Sequence, residues 1–332
     1  MKKRWKIAGG IAAGAGLALY GGVLSIFHSF FLRSRRKSRY ELNEEYYAFL
    51  ERGPFAHRVP DLKEGIAWLH VQKHEDWYLN SFDGLRLHAR FFENPAGGDR
   101  VALLCHGYHS SGEHDFGAMF PFYWEQGFHL LVIDQRAHEG SEGKYICFGV
   151  KERYDLVAWC KWLVLRRSQS VQILIHGVSM GCTTALLAAA LPTMPENLIG
   201  VVADCGFTSP YDEFLHVAKK NFSLPAFPFL PLLEVVCRHR AGFGFRELST
   251  VDEMAHVRVP VLFVHGEKDT FVLPEHTKNN YAACAGKKEL LLVPEAGHAL
   301  SYLAALEEYQ KKLLEFLEKH CGLKACAASG EE

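Results

Sequence analysis

A serine stands at the centre of the pentapeptide Gly177-Val178-Ser179-Met180-Gly181, between an apolar run and a helix-forming run. A strand that turns sharply into a helix at a serine raises the hydroxyl group above the sheet, and the turn is too tight for side chains at Gly177 and Gly181. The Met180 N–H then lies at the amino end of the helix, where it can stabilise a developing oxyanion. Ser179 is therefore the candidate nucleophile.

A serine hydroxyl becomes a good nucleophile only when a base accepts its proton and an acid orients that base. Asp269 follows an apolar run at 261–265, and His298 follows a later run at 290–293. The order serine, acid, base along the chain is one in which such triads occur. We predict that Asp269 is the acid and His298 the base, with Glu267 and Asp204 as alternative acids.

A second oxyanion donor is expected from the loop that follows the apolar run at 101–105. Gly107 in this loop allows the backbone to come close to the serine, so the N–H of Tyr108 is the candidate donor. Together with the Met180 N–H it would hold the negative charge that develops on the substrate oxygen.

The other histidines near these motifs are interpreted as structural. Three of them end an apolar run and precede a glycine: His106, His176 and His265. A loose cluster suggests a metal site, and its members are His106, His109, His114 and Asp115. Their spacing lacks the pattern of helical zinc ligands, so neither a metal nor another cofactor is predicted.

Apolar runs alternate with helical stretches along most of the chain, after a hairpin signal at 77–92. This alternation predicts an α/β fold with a doubly wound, mostly parallel sheet. The predicted strands lie at 101–105, 128–134, 171–178, 198–204, 261–266 and 290–293, and the helices at 151–167, 183–190 and 300–317. Between 207 and 256 the alternation lapses, which predicts a small helical lid. Its apolar side chains are expected either to line an acyl pocket or to pack on the domain.

The composition excludes some function classes. The 332 residues carry a formal net charge of -1, which gives no general basis for binding nucleic acid. The nine cysteines contain no Cys-x-x-Cys pair, so we expect a reducing environment rather than a disulfide framework.

The amino-terminal segment predicts a membrane anchor. Residues 7–32 contain no Asp, Glu, Lys or Arg, and a helix of that length can cross a hydrocarbon core of about 30 Å. Basic residues flank both ends, so the side of the membrane that the enzyme faces stays open. The expected organisation is a single-pass anchor with basic flanks at 1–39, a connecting segment at 40–76, a catalytic α/β domain at 77–320 with its lid at about 207–256, and a tail at 321–332.

Several motifs together resemble those of α/β-hydrolases, and within them those of bacterial membrane-anchored hydrolases that are serine aminopeptidase-like or esterase-like. They are Leu104-Cys105-His106-Gly107-Tyr108, Asp134-Gln135-Arg136-Ala137-His138-Glu139-Gly140-Ser141, Gly177-Val178-Ser179-Met180-Gly181, His265-Gly266-Glu267-Lys268-Asp269 and Ala296-Gly297-His298. The chain departs from the usual pattern at Ala137 and Glu139, where glycines are common, and at Cys182, where a smaller residue is common. The resemblance implies an α/β-hydrolase fold and serine hydrolase chemistry.

The predicted reaction is hydrolysis of a carboxylic ester, thioester or amide through an acyl-enzyme, with a small-molecule acyl substrate. A serine aminopeptidase or an acyltransferase would use the same triad. A non-catalytic, membrane-tethered binding protein is the alternative from another class, although such proteins usually lose the serine, the acid or the base.

Overall fold

The computed structural model describes residues 2–33, 44–222 and 225–323. An eight-stranded sheet runs through its centre in the order β1-β2-β4-β3-β5-β6-β7-β8. The strands are β1 Glu75–Asn80, β2 Arg86–Phe92, β3 Arg100–Cys105, β4 His129–Ile133, β5 Gln172–Val178, β6 Leu198–Asp204, β7 Val261–Gly266 and β8 Lys288–Val293. The β1–β2 and β2–β4 pairs are antiparallel, and the other pairs are parallel. The predicted doubly wound, mostly parallel sheet is confirmed.

Helices cover both faces of the sheet. They are α1 Lys2–Phe31, α2 Glu44–Glu51, α3 Val59–Val71, α4 Gly112–Phe116, α5 Phe120–Glu125, α6 Glu152–Arg166, α7 Met180–Ala189, α8 Pro210–Phe222, α9 Ala226–Arg240, α10 Thr250–Glu253, α11 Pro274–Ala283, α12 Ser301–Ala304 and α13 Leu306–Cys321. Short 3₁₀ helices lie at Ala56–Arg58, Gly117–Met119 and Met254–His256. The closing helix that the sequence predicts at 300–317 is divided into α12 and α13 by the non-helical Ala305.

Two apolar cores lie on opposite faces of the sheet because side chains alternate along each strand. In β3, Leu103 packs into the core that α6 and α7 cover, whereas Leu104 packs into the core that α5 and α13 cover. Both side chains are fully buried. A central strand buried on both faces reads as a continuous apolar run, which is why the strands could be predicted from the sequence.

The long helix α1 packs on the protein through its carboxyl-terminal half. Val23, Phe27 and Phe31 are fully buried in a third core, which they share with apolar residues of α8 and α9. No helix in the part of the chain that the structure describes is long and apolar enough to cross a membrane. The structure does not support the predicted transmembrane helix, and location at a membrane stays a prediction.

The buried half of α1 should contribute to stability as a core helix does. Phe27 is fully buried and stacks on Phe31 with ring centroids 5.3 Å apart. Replacing Phe27 by alanine should lower the free energy of unfolding by about 3–5 kcal/mol, because a cavity replaces the ring. Leu17 lies on the same helix but is 73% exposed, so Leu17→Ala should change it by less than about 0.5 kcal/mol. Denaturant titration of the full chain measures both. Equal effects of the two substitutions would contradict the packing described here.

Candidate active site

Ser179 occupies the tight turn between β5 and α7. Its backbone has φ 55° and ψ -117°, a left-handed conformation that side chains other than glycine rarely adopt. A Cβ atom on Gly181 would lie 1.9 Å from the Cys105 carbonyl oxygen, and one on Gly177 would lie 2.3 Å from the Gly181 carbonyl oxygen. The Ser179 N–H donates to the Asp204 carbonyl oxygen at 2.8 Å. Both glycines are thus required by close backbone packing, as the sequence indicated.

The structure brings Ser179, His298 and Asp269 into one hydrogen-bonded line. His298 Nε2 lies 2.9 Å from Ser179 Oγ, and His298 Nδ1 lies 2.6 Å from Asp269 Oδ2. The serine follows β5, the acid follows β7 and the histidine follows β8. These strands are parallel, so their carboxyl ends meet at one edge of the sheet, where ligands of such sheets bind.

The Asp269 carboxylate is held from several directions. Its Oδ1 atom accepts hydrogen bonds from the N–H groups of Phe271, at 2.8 Å, and Val272, at 3.0 Å. Its Oδ2 atom also lies 3.2 Å from Nε2 of the fully buried His265. Burial by itself raises the pKa of Asp269, but the contacts with His265 and His298 outweigh it and hold the pKa well below its usual value. Asp269 is therefore ionised at neutral pH.

The two alternative acids are placed differently. Glu267 is exposed on the loop before Asp269. Asp204 is buried beneath the turn, and its Oδ2 atom accepts a hydrogen bond from Tyr309 at 3.1 Å. Among the described residues, the acid within hydrogen-bond distance of His298 is Asp269.

The histidines interpreted as structural have internal partners. His176 lies between the hydroxyl groups of Tyr123, at 2.7 Å, and Tyr309, at 3.1 Å, and burial lowers its pKa to about 3. His265 instead contacts the acid directly, a role that the sequence did not indicate. Its position at the end of β7, four residues before Asp269, offered no signal beyond proximity in the chain.

The expected oxyanion loop lies beside the nucleophile. A Cβ atom on Gly107 would be 3.2 Å from Ser179 Cβ, so the loop and the serine are in close contact. The Gly107 N–H donates to Asp115 Oδ2 at 2.6 Å, which fixes the loop. Tyr108 and Ser179 border the same cavity, and Met180 is the first residue of α7. The roles of the Tyr108 and Met180 N–H groups stay predictions.

Among the described residues, one group offers three possible ligands to a metal ion. Cys205, Asp269 and His298 place one ligand atom each within 4.8 Å of one another. Two of those residues already share a hydrogen bond of 2.6 Å, which leaves no space for an ion between them. In the cluster considered from the sequence, His106 contacts Gly107 and His114 contacts Asp115.

An apolar cavity of about 340 Å³ opens beside Ser179. Its lining residues are Tyr46, Phe49, Leu50, Leu62, Gly107, Tyr108, Ser110, His114, Asp115, Ala118, Met119, Ser179, Phe271, His298, Ala299, Leu300, Tyr302 and Leu303. Among the described residues none from 207–256 lines it, so the alternative that the predicted lid lines an acyl pocket is wrong for this cavity. Apolar residues of the predicted lid pack instead with α1 and with domain residues that include Phe148 and Met180, in line with the second alternative. Residues of α2 and α3, in the segment at 40–76, line the cavity.

Comparison with known proteins shows the family to which the chain belongs. A model of the prolyl oligopeptidase family matches residues 116–324, a span that includes Ser179, Asp269 and His298. The chain belongs to the prolyl oligopeptidase family. It is therefore a hydrolase, and the predicted membership of the α/β-hydrolase superfamily is confirmed.

Relatives of this family member come from distant organisms. An uncharacterised protein of Bacillus subtilis, YqkD, is 30% identical over 216 residues, which are 65% of this chain and 70% of YqkD. The α/β-hydrolase domain-containing protein WAV2 of Arabidopsis thaliana is 27% identical over 74% of this chain and 79% of its own. The fold is similar to that of the Pyrococcus furiosus esterase Pf2001, with a TM-score of 0.62 and 24% identity over 79% of this chain and 95% of the esterase.

The pH dependence of turnover should report the environment of His298. Burial lowers its pKa, but the hydrogen bond and the charge of Asp269 outweigh burial and raise the pKa above its usual 6.5. Protonated His298 cannot accept the serine proton, so kcat/KM should fall as the pH drops through a value above 6.5. A pH series of kcat/KM measures this midpoint. The control His320→Gln, far from the site on α13, should leave it unchanged, whereas a midpoint below 6.5 would contradict the expected environment.

Glu213 on α8 should make the fold less stable at alkaline pH. Neither of its carboxylate oxygens has a hydrogen-bond partner among the described residues, and burial raises its pKa from 4.5 to about 8. The folded chain keeps this proton to a higher pH than the unfolded chain. The stability from Glu213 is therefore full below pH 4.5 and lost as the pH rises through about 8.

Glu213→Gln removes this titration and should reduce the fall in melting temperature between pH 5 and pH 9. Thermal unfolding of wild type and variant across that range tests it. Glu196→Gln, at an exposed turn, is the matched control and should follow the wild type. A parallel fall in wild type and Glu213→Gln would show that Glu213 does not carry the effect.

Proposed function

We propose that this hydrolase cleaves carboxylic esters of apolar acyl groups through an acyl-enzyme on Ser179. The observation that carries the proposal is the line Ser179–His298–Asp269 at the edge of an apolar cavity. A base within 2.9 Å of the serine and an ionised acid on its other nitrogen are the arrangement that activates a hydroxyl nucleophile.

In the proposed first step, Ser179 Oγ attacks the ester carbonyl carbon while its proton passes to His298 Nε2. The carbonyl electron pair moves to oxygen, and the N–H groups of Tyr108 and Met180 stabilise that oxyanion. The intermediate then collapses, the alcohol leaves with the proton from His298, and the acyl group stays on Ser179. Asp269 stabilises the imidazolium throughout.

In the second step, His298 removes a proton from water, and the resulting hydroxide attacks the acyl-enzyme. The carboxylic acid leaves and Ser179 recovers its proton from His298. One ester and one water thus give one acid and one alcohol. Every proton transfer in these two steps passes through His298.

The lining of the cavity supports an acyl ester over a peptide amino terminus. Apart from the reacting groups, most of its side chains are aliphatic or aromatic. A free ammonium group requires an unengaged carboxylate, and Asp115 is the acid among the described lining residues. It already accepts from the Gly107 N–H, at 2.6 Å, and from Ser110 Oγ, at 2.6 Å, and it lies 2.8 Å from His114 Nδ1. Peptide cleavage is the second candidate because the matched family is one of peptidases.

Ser179→Ala should abolish turnover without unfolding the protein. Because the nucleophile is removed, ester hydrolysis should fall by about 10⁴-fold or more, while the melting temperature stays near that of wild type. Labelling by a fluorophosphonate and hydrolysis of 4-nitrophenyl esters measure the effect. Ser170→Ala, on an exposed loop, is the control and should keep both activities. Retained turnover or labelling in Ser179→Ala would exclude Ser179 as the nucleophile.

The substrate class is tested by comparing esters with peptides on the same preparation. 4-Nitrophenyl esters of two to twelve carbons should be cleaved with a preference set by the cavity, and aminoacyl 4-nitroanilides should be poor substrates. Ser179-dependent cleavage of the anilides at a higher kcat/KM than any ester would favour the peptidase. Transfer of the acyl group to an added alcohol, in place of hydrolysis, would identify an acyltransferase.

A further inference from the structure

The last turn of α1 ends against the loop that carries the proposed oxyanion donor. The hydroxyl group of Tyr108 donates a hydrogen bond to the carbonyl oxygen of Phe30 at 3.0 Å. Carbonyl groups in the last turn of a helix lack partners within the helix, so an external donor satisfies one of them. The contact therefore links the end of α1 to the Tyr108 side chain.

Aromatic packing holds the Tyr108 ring from the same direction. The ring stacks on Phe148, with centroids 5.1 Å apart and planes inclined by 27°. Phe148 in turn contacts Phe31 on α1 at a centroid distance of 5.4 Å. Phe31 is fully buried. The ring of Tyr108 thus packs on a cluster of which α1 is a part, while its hydroxyl group is bound to the backbone of the same helix.

The end of α1 is itself fixed to the domain by its backbone. The Ile146 N–H donates to the Phe31 carbonyl oxygen at 2.8 Å, and the Arg33 N–H donates to the Lys144 carbonyl oxygen at 2.9 Å. The Arg33 guanidinium also donates to the Ser141 carbonyl oxygen at 2.6 Å. These hydrogen bonds join residues 31–33 to residues 141–146, as hydrogen bonds join neighbouring strands of a sheet. The end of α1 can therefore act as a rigid support.

The support lies next to the reacting atoms. Gly107 contacts Ser179, and Tyr108 borders the cavity with Ser179. Met180, the other proposed donor, is fully buried in the same apolar core as Val23, Phe27 and Phe31. Both proposed oxyanion donors therefore belong to residues that pack in the core built around α1.

We propose that the carboxyl-terminal end of α1 positions the oxyanion loop, with the Tyr108 side chain as the positioning residue that transmits the support. The inference rests on the proposed function, since it concerns the placement of the Tyr108 N–H. Donors act well only when they are fixed where the negative charge develops, and small displacements reduce the rate strongly. The end of the amino-terminal helix α1 is then a part of the catalytic unit.

Tyr108→Phe in the full chain tests the proposal, because it removes the hydroxyl group and keeps the ring and the backbone N–H. We expect kcat for a 4-nitrophenyl ester to fall by about tenfold with little change in KM, since the lost support affects the transition state more than the bound substrate. Affinity for a trifluoromethyl ketone, which forms a serine hemiketal with an oxyanion, should fall by a similar factor. Affinity for the uncharged product alcohol should stay unchanged.

Tyr145→Phe is the matched control, because it also removes a tyrosine hydroxyl group from a ring that packs on α1, 5.5 Å from that of Phe27. It should leave kcat and ketone affinity at wild-type values. Unchanged kcat and ketone affinity in Tyr108→Phe would overturn the inference while leaving the proposed function intact. Equal losses in both tyrosine variants would also overturn it, since they would indicate general destabilisation. A wild type without Ser179-dependent turnover would instead overturn the proposed function.

Discussion

The backbone conformation at Ser179 is the constraint on which the site depends. A left-handed conformation at a residue with a side chain costs of order 1–3 kcal/mol, so the surroundings must hold it. The Ser179 N–H is bound to Asp204 at the end of β6, and Gly181 packs on the Cys105 carbonyl group at the end of β3. The strands on both sides of β5 therefore fix the turn. The hydroxyl group is directed by the sheet and not by rotation of a free side chain.

The buried charge of the Asp269 carboxylate is the second constraint on the site. Asp269 is almost wholly removed from solvent, and a buried carboxylate is tolerated only when donors surround it. Two backbone N–H groups, His298 and His265 meet that condition. Since His265 Nδ1 lies 2.7 Å from Thr277 on α11, the set of contacts that keeps the acid ionised extends into a helix with no direct part in the chemistry.

The order of motifs was enough to predict the sheet and the hydrogen-bonded line of Ser179, Asp269 and His298, because each motif follows a continuous apolar run. The residues that line the cavity could not be predicted in this way. Tyr46 and Phe49 lie in a charged segment without strand periodicity, and they reach the site only through the tertiary packing of α2 and α3. The apolar run at 7–32 indicated a membrane, whereas Phe27 and Phe31 are buried in protein. Apolar residues that face lipid and apolar residues that face a core have the same composition, so the sequence alone does not separate them.

The packing of α1 has a consequence for biosynthesis. Phe31 is made early, but its ring contacts Phe214 and Phe243, which are added roughly 180 and 210 residues later. At ribosomal rates of about 5–20 residues per second, the helix waits on the order of 10–40 s for these partners. Contacts between residues so distant in the chain form late, because closing a long loop costs chain entropy before the contacts contribute any favourable energy. During that interval Phe27 and Phe31 are open to chaperones or to other nascent chains, and the last stage of folding buries them.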